Sequence, residues 1–168
     1  IDLLEYTHAF SNRIGIDHEE LLGRKFLLEF DPASNYEKIV EDFAKEALAN
    51  LEPIYIFTRA VSSVSEFLTQ QQSIRFVLMS YSSSASQSVS QNQIIIPADD
   101  TPLILDMLQG ILDENTKTNL FLVFDSLSEL IMCIGLEKTY KFLLHVLDMM
   151  PPKITTALFL LNKRAHAP

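Results

Sequence analysis

Short, uninterrupted apolar segments such as Leu120–Phe124 and Ala157–Leu161 constrain the fold of this chain more than any other feature. A strand that packs on both faces is apolar throughout, whereas a half-exposed strand alternates apolar and polar residues. Strands of the first kind occur in parallel sheets that helices cover on both sides. The apolar segments therefore predict an α/β fold with a mostly parallel central sheet.

The rest of the chain fits the same plan. We predict strands at 26–30, 54–57, 74–79, 94–96, 120–124 and 157–161. Apolar residues at helical spacing predict helices over 3–14, 34–48, 61–68, 101–112 and 136–150. Residues 80–93 are rich in Ser, Gln and Asn, and we expect an exposed loop there. Because strands and helices alternate, we predict three layers with the sheet in the middle.

The length and composition indicate one globular domain. A chain of 168 residues, 48% hydrophobic and 21% charged, can bury one sizeable core and lies far from the disordered class. We predict a single domain over 23–168, preceded by a helical segment at 1–22. That segment either connects to an upstream domain or packs on this one. Because the chain opens at Ile1 instead of Met, we expect it to be part of a longer protein.

Charge and composition exclude several kinds of partner. A net charge of −9 repels phosphate backbones, so we expect no nucleic-acid partner. The apolar segments are too short to span a bilayer, and no signal segment opens the chain, so we expect no membrane partner for this part. Cys133 is the single cysteine, which fits a reducing compartment and a cytoplasmic location.

The turn after the first predicted strand departs from a phosphate-binding loop. Such a loop reads G-x-x-x-x-G-K-[ST]. Lys38 is the lysine in register, and it places Pro32 and Glu37 at the two glycine positions and Ile39 at the Ser/Thr position. Pro32 has no N–H to offer a phosphate, and Ile39 cannot coordinate Mg²⁺.

Acidic and capping side chains oppose phosphate binding at the same turn. Asp31 and Glu37 place negative charge where phosphates would lie. Ser34 and Glu37 form an S-x-x-E pattern, which predicts a capping box that occupies the N–H groups at the helix start. We therefore predict no bound cofactor, with Mg-ATP disfavoured. The degenerate loop comprises Asp31, Pro32, Ser34, Glu37, Lys38 and Ile39.

Asp125 ends an apolar strand and is followed by Ser126. This pattern is typical of the Walker-B position, where the aspartate directs Mg²⁺. The alternative interpretation is that Asp125 caps the segment Ser126–Ile131 or binds its backbone. A carboxylate pair after the second strand would favour an ATPase, but Thr58 and Arg59 stand there. We keep Asp125 and Ser126 as candidate nucleotide- or metal-binding residues and assign no catalytic residue.

Two other kinds of site receive little support. Asp31, Asp125 and Lys163 lie near predicted strand ends, as in a phospho-accepting receiver domain. However, 94 positions separate the two aspartates, and the acidic residues of a receiver lie much closer in sequence. We expect the histidines at the surface or on helix faces and predict no metal site, because no metal-ligand spacing relates His8, His18, His145 and His166.

Three segments resemble the archaeal KaiC-like, RecA-superfamily domains of uncharacterised function: Gly23–Ala47, Phe124–Tyr140 and Phe159–Pro168. The shared motifs are FLLEFDP-S-YE, in place of a phosphate loop, and FDSLSELI…G-EKTY-FL. The resemblance implies a three-layer RecA-like core with a degenerate nucleotide site, a place in a larger sensory or regulatory protein, and self-association. Only Asp125 and Ser126 map onto the Walker-B position.

These observations favour a non-catalytic regulatory or sensory interaction module that works through protein partners or self-association. One alternative is an atypical nucleotide-binding protein or weak ATPase that uses Asp125. A second alternative is a receiver-like domain that accepts a phosphoryl group.

Overall fold

A seven-stranded, mostly parallel sheet forms the middle layer of the fold. The computed structural model describes residues 3–68, 71 and 73–164. The strands are β1 (Lys25–Phe30), β2 (Ile54–Arg59), β3 (Arg75–Ser80), β4 (Gln87–Ser90), β5 (Gln93–Pro97), β6 (Leu120–Phe124) and β7 (Thr155–Asn162). Their order across the sheet is β1-β7-β6-β2-β3-β5-β4, and only the β4–β5 pair is antiparallel. This arrangement confirms the predicted α/β class.

Helices cover both faces of the sheet. They are α1 (Ser11–Ile14), α2 (His18–Leu21), α3 (Tyr36–Ala49), α4 (Ser63–Leu68), α5 (Thr101–Glu114), α6 (Leu127–Ile134) and α7 (Leu136–Met149). Helices α3 and α4 and the N-terminal segment bury one face, and α5, α6 and α7 bury the other. The three predicted layers are therefore confirmed. Within the described residues, no helix is long and apolar enough to cross a membrane.

The predicted loop at 80–93 contains a strand, so that prediction was wrong in part. Strand β4 pairs with β5 along the outer edge of the sheet, and its four residues are all exposed. Its side chains contribute little burial, because the segment is mostly Ser and Gln. Backbone pairing with β5 holds it, and no apolar periodicity marks a strand of that kind.

The N-terminal segment is less regular than predicted, and it packs on this domain. The helix expected over 3–14 is broken into a 3-10 turn at Leu3–Tyr6 and the single-turn helix α1. Gly15 ends α1 with a φ of 72°. The Phe10 ring meets the Phe43 ring edge-on, with centroids 5.1 Å apart. The N-terminal segment therefore contributes Phe10 to the core on the α3 side of the sheet.

Gly23 carries the first testable prediction, because its position forbids a side chain. Its φ is 81°, and an added Cβ would lie 2.6 Å from the carbonyl oxygen of Pro152. We expect Gly23→Ala to lower the free energy of unfolding by about 2 kcal/mol, measured by urea denaturation. Gly15→Ala is the matched control, because its φ is 72° and no described atom lies within 4 Å of the added Cβ. The control should cost only about 1 kcal/mol, and equal losses would contradict the steric argument.

Candidate functional site

A polar crevice of about 240 Å³ opens at the carboxyl edge of the sheet. Strands β1, β7, β6 and β2 are parallel neighbours, so their carboxyl ends meet there. This edge is where ligands bind in open α/β sheets. The lining includes Phe30, Pro32, Tyr36, Arg59, Ser62, Ser63, Asp125, Ser126, Ser128, Glu129 and Asn162.

Asp125 is the buried acid of this crevice. The hydroxyl of Thr58 donates to its Oδ2 at 2.7 Å, and the Ser62 hydroxyl lies 2.8 Å from that of Thr58. Burial is the main cause that raises the pKa of Asp125 to about 6; the hydrogen bond from Thr58 opposes this rise, and the charges of Glu129 and Glu37 add to it. The crevice therefore contains a carboxylate that gains a proton in mildly acidic solution.

The alternative in which Asp125 caps the following helix was wrong. Ser126 is the N-cap of α6, and its Oγ accepts the N–H of Glu129 at 3.3 Å. The carboxylate of Asp125 binds the side chain of Thr58 instead. The peptide bond between Asp125 and Ser126 is cis. Asp125 lines the crevice, and Ser126 is the N-cap of the helix.

The turn after β1 is closed by Asp31. The carboxylate of Asp31 accepts the N–H of Ala33 at 3.0 Å. Its carbonyl oxygen accepts the N–H of Ser34 at 2.8 Å and the Ser34 hydroxyl at 2.5 Å. Pro32 has no N–H, and the N–H groups of Ala33 and Ser34 are already bound to Asp31. Residues 32–34 therefore present no free backbone N–H to the crevice.

The predicted capping box of Ser34 and Glu37 was wrong. Helix α3 begins at Tyr36, and its N-cap is Asn35, which makes no side-chain capping bond. The hydroxyl of Ser34 is taken by Asp31 in the preceding turn. Short-range bonding by an aspartate competes with helix capping, and here the aspartate turn prevails.

The structure separates the predicted loop residues into two groups. Pro32 lines the crevice beside Asp125 and Ser126. Lys38 turns along α3, where its Nζ lies 2.7 Å from Glu41 Oε1 and 3.3 Å from an Asp42 oxygen. Ile39 packs against the core beneath α3. The lysine in register for a phosphate loop is therefore committed to acids of its own helix.

Acidic side chains outnumber basic ones around the crevice. The charged residues in or beside it are Asp31, Glu37, Arg59, Asp125, Glu129 and Arg164. Arg164 pairs with Asp31 at 2.8 Å, and Arg59 lies 3.5 Å from Glu129. Among the described residues, Asp125 and Glu37 have no cationic partner. A triphosphate entering the crevice would meet two uncompensated carboxylates.

A larger cleft of about 460 Å³ lies elsewhere, between α5 and the amino ends of β2, β3 and β5. Tyr55, Arg75 and Gly110 are among its lining residues. Its acidic lining residues, Asp106 and Glu114, are exposed, and the cleft lies away from the carboxyl edge where such folds bind ligands. We therefore place the candidate site in the smaller crevice.

A buried histidine was missed by the sequence reasoning. His18, expected at the surface or on a helix face, is the first residue of α2 and is buried, with Nδ1 2.6 Å from Glu46 Oε2 and Nε2 3.0 Å from Glu52 Oε1. Burial opposes its protonation, but the hydrogen bonds to Glu52 and Glu46 outweigh this, so the pKa of His18 is raised. Its ring also stacks on Phe121 at 6.0 Å. The two glutamates are remote in sequence, and no local motif could have indicated the cluster.

Glu46 connects the buried cluster of His18, Glu46 and Glu52 to the N-terminal segment through hydrogen bonds. Its carboxylate is fully buried and accepts the backbone N–H groups of Phe10 and Ser11, each at 2.8 Å. No group of acids, histidines or cysteines in the described part of the chain forms a metal site. His166 lies outside the described residues.

The sheet order disagrees with the receiver alternative. In a receiver-type sheet of order 2-1-3-4-5, the first strand lies inside the sheet. Here β1 lies at the edge, and β7 separates it from β6. Asp31 is paired with Arg164, and Lys163 is fixed by its backbone N–H to Phe30 O at 3.0 Å. The three residues of that hypothesis thus form no receiver-like cluster.

The fold has a counterpart among solved structures. The crystal structure of a KaiC-like protein from the hyperthermophilic archaeon Pyrococcus horikoshii OT3 matches 84% of this chain with a TM-score of 0.56 and 16% sequence identity. This chain has a KaiC-like, RecA-type fold. The match spans 63% of the chain of the Pyrococcus protein, and at this identity the likeness extends to the fold alone. No family model and no curated protein matches the sequence.

Proposed function

We propose that this chain is a KaiC/RecA-like regulatory interaction module that works by binding partners within a larger archaeal signalling protein in the cytoplasm, and that it does not hydrolyse ATP. The turn after β1 carries the proposal. Pro32 has no N–H, and the N–H groups of Ala33 and Ser34 are bound to Asp31. A phosphate loop works by directing those groups at the nucleotide.

The surrounding side chains support the same proposal. Lys38 is paired with Glu41 and Asp42 and does not extend toward the crevice. The residues that end β2, Thr58 and Arg59, contribute no carboxylate of their own to activate water. Phosphoryl transfer depends on positioned N–H groups, a lysine and a metal. Each of these departures from the phosphate-loop pattern removes one of the groups on which that chemistry depends.

A thermal-shift titration with Mg-ATP and Mg-ADP tests the proposal. We expect no shift in the midpoint of unfolding at millimolar nucleotide. A ligand at a hundred times its dissociation constant would add about 2.7 kcal/mol, or roughly 5–10 °C for a domain of this size. A shift of that size, together with phosphate release in a turnover assay, would refute the proposal.

The alternative is an atypical nucleotide-binding protein, and the carboxylate of Asp125 facing the crevice favours it. In that case Asp125 and Ser126 would hold Mg²⁺ and a non-standard contact would hold the phosphates. An Asp125→Ala variant separates the two functions. A nucleotide-induced shift that disappears in this variant would support the alternative, and its absence in the parent chain would remove it.

A further inference from the structure

Both ring nitrogens of His18 face carboxylates. Nδ1 lies 2.6 Å from Glu46 Oε2, and Nε2 lies 3.0 and 3.1 Å from the two oxygens of Glu52. Each nitrogen–carboxylate contact needs a hydrogen between its two atoms, but a neutral imidazole carries only one N–H. His18, Glu46 and Glu52, which we call the His18 cluster, therefore need one extra proton to complete both contacts. That proton lies on the imidazole or on one of the glutamates.

Burial makes the loss of this proton costly. His18 is 8% exposed, and Glu46 is 0% exposed. Without the proton, two carboxylates remain beside one neutral ring, and a ring lone pair points at a carboxylate oxygen. Glu46 is held in place, because its Oε1 accepts the N–H groups of Phe10 and Ser11. The repulsion would therefore persist in a position where water does little to relieve it.

The elements packed around the ring leave the proton under the control of the cluster. The charged groups that act on His18 are Glu52 and Glu46. Asn50 brings an amide nitrogen 3.4 Å from Nδ1, and the uncharged ring of Phe121 stacks on the imidazole from β6. The acids next to His18 in sequence are all exposed: Asp17, Glu19 and Glu20. The two buried glutamates therefore determine whether His18 keeps its proton.

The sign of the pH effect follows from the same contacts. Burial lowers the pKa of His18, but the hydrogen bonds and charges of Glu52 and Glu46 raise it by more. The packed cluster thus holds a proton more tightly than a solvated histidine does. Its stabilising contribution is complete below pH 6.5 and is lost as pH rises through the raised pKa.

The N-terminal segment has little structure that could persist without the core. It consists of three single turns, at Leu3–Tyr6, Ser11–Ile14 and His18–Leu21. Helices this short are not stable alone in water. The N–H groups of Phe10 and Ser11 and the ring of His18 all bind Glu46. Weakening the His18 cluster therefore weakens three attachments of the segment together.

Other contacts between the segment and the core keep their charges across neutral pH. Arg13 Nε lies 2.6 Å from Asp42 Oδ2, and Lys45 Nζ lies 4.4 Å from the centre of the Tyr6 ring. The amide of Asn50 donates to the carbonyl oxygen of Thr7 at 3.0 Å. These contacts oppose release of the segment at any pH near neutral, so the pH dependence comes from the His18 cluster.

We infer that the His18 cluster is a pH-dependent switch that controls the docking of the N-terminal segment. With its shared proton, the cluster holds the segment on α3. Without the proton, the segment opens locally while the sheet stays folded. Opening uncovers Phe26 and Phe43, whose rings pack on Phe10 with centroids 5.6 and 5.1 Å apart. The switch involves none of the residues that line the candidate crevice, so it is independent of the proposed function.

Amide hydrogen exchange followed by NMR tests the inference in the parent chain. Protection factors are rates relative to the unstructured chain at the same pH, so the direct effect of pH on exchange cancels. We expect those of the Phe10 and Ser11 amides to fall about tenfold or more between about pH 6 and about pH 8.5, since one linked proton changes an equilibrium up to tenfold per pH unit. At both pH values they should be lower than those of the β6 amides. Unchanged protection at Phe10 and Ser11, or protection equal to that of β6, would overturn the inference.

Glu52→Gln supplies the missing hydrogen without a proton from solution. Its amide can donate to Nε2 while Nδ1–H donates to Glu46, so a neutral His18 completes both contacts. The fall in protection of the Phe10 and Ser11 amides should shrink to less than about threefold in this variant. Glu19→Gln is the matched control, because it removes the same charge from an exposed position beside His18 and should leave the fall unchanged. A fall in Glu52→Gln as large as in Glu19→Gln would contradict the inference.

Discussion

Replacing Glu46 with alanine should lower the free energy of unfolding by about 3–5 kcal/mol at pH 6. The carboxylate of Glu46 is fully buried and accepts three bonds, from the N–H groups of Phe10 and Ser11 and from His18. Its removal leaves two buried N–H donors and the imidazolium of His18 without that acceptor. A buried ion pair that loses one partner is strongly destabilising, because the remaining charge is buried without compensation. Urea denaturation followed by circular dichroism measures the loss.

Ser11→Ala is the control for Glu46→Ala in the same place. The Ser11 hydroxyl is buried, and no described residue accepts or donates a bond to it. Its removal should leave stability within about 0.5 kcal/mol of the parent. A loss below 1 kcal/mol in Glu46→Ala would show that the cluster does not hold the N-terminal segment.

The same cluster should make stability depend on pH. The pKa of His18 is raised above 6.5, so its contribution is complete below pH 6.5 and is lost as pH rises through the folded value. Burial raises the pKa of Glu52, and its hydrogen bond to His18 partly offsets this rise. The folded state therefore loses stability as pH rises above 4.5 and Glu52 is deprotonated. Both effects act in one direction. The midpoint of urea unfolding should fall above neutral pH, and His18→Gln should remove that fall.

The second large effect is a gain in stability. Asp125→Asn should raise the free energy of unfolding by about 3 kcal/mol at pH 8, because the pKa of the buried carboxyl is about 6 against an ordinary value of 3.8. The folded state holds this proton more tightly than the unfolded state. The penalty therefore develops as pH rises from about 4 to about 6 and stays constant above it. The amide oxygen can still accept from Thr58.

The gain in Asp125→Asn should vanish near pH 4, where the parent carboxyl is protonated in the fold. Asp113→Asn on the exposed face of α5 is the control and should change stability by less than about 0.5 kcal/mol at either pH. An Asp125→Asn variant that is less stable than the parent at pH 8 would mean that a cation or a hydrogen bond compensates the charge. A buried acid that destabilises the fold is typical of binding sites, where local stability is given up for chemistry.

Local patterns in the sequence determined the class of the fold. Uninterrupted apolar segments predict strands buried on both faces, and amphipathic segments between them predict covering helices, because both patterns follow from the repeat of a single element. The same patterns predict that Asp125 follows strand β6 and that the turn around Lys38 lacks the residues of a phosphate loop. They did not predict the polar strand β4, because that strand is held by pairing with β5 and not by burial.

Only the tertiary structure decided which distant residues meet. His18, Glu46 and Glu52 converge from separate elements, and no spacing within one segment encodes that meeting. The capping pattern of Ser34 failed because the chain turns at Asp31, where the Ser34 hydroxyl donates to the carbonyl oxygen of Asp31, and helix α3 begins only at Tyr36. The order of strands places β1 at the edge of the described sheet and separates it from β6 by β7. Strand order depends on chain crossings that local periodicity does not record.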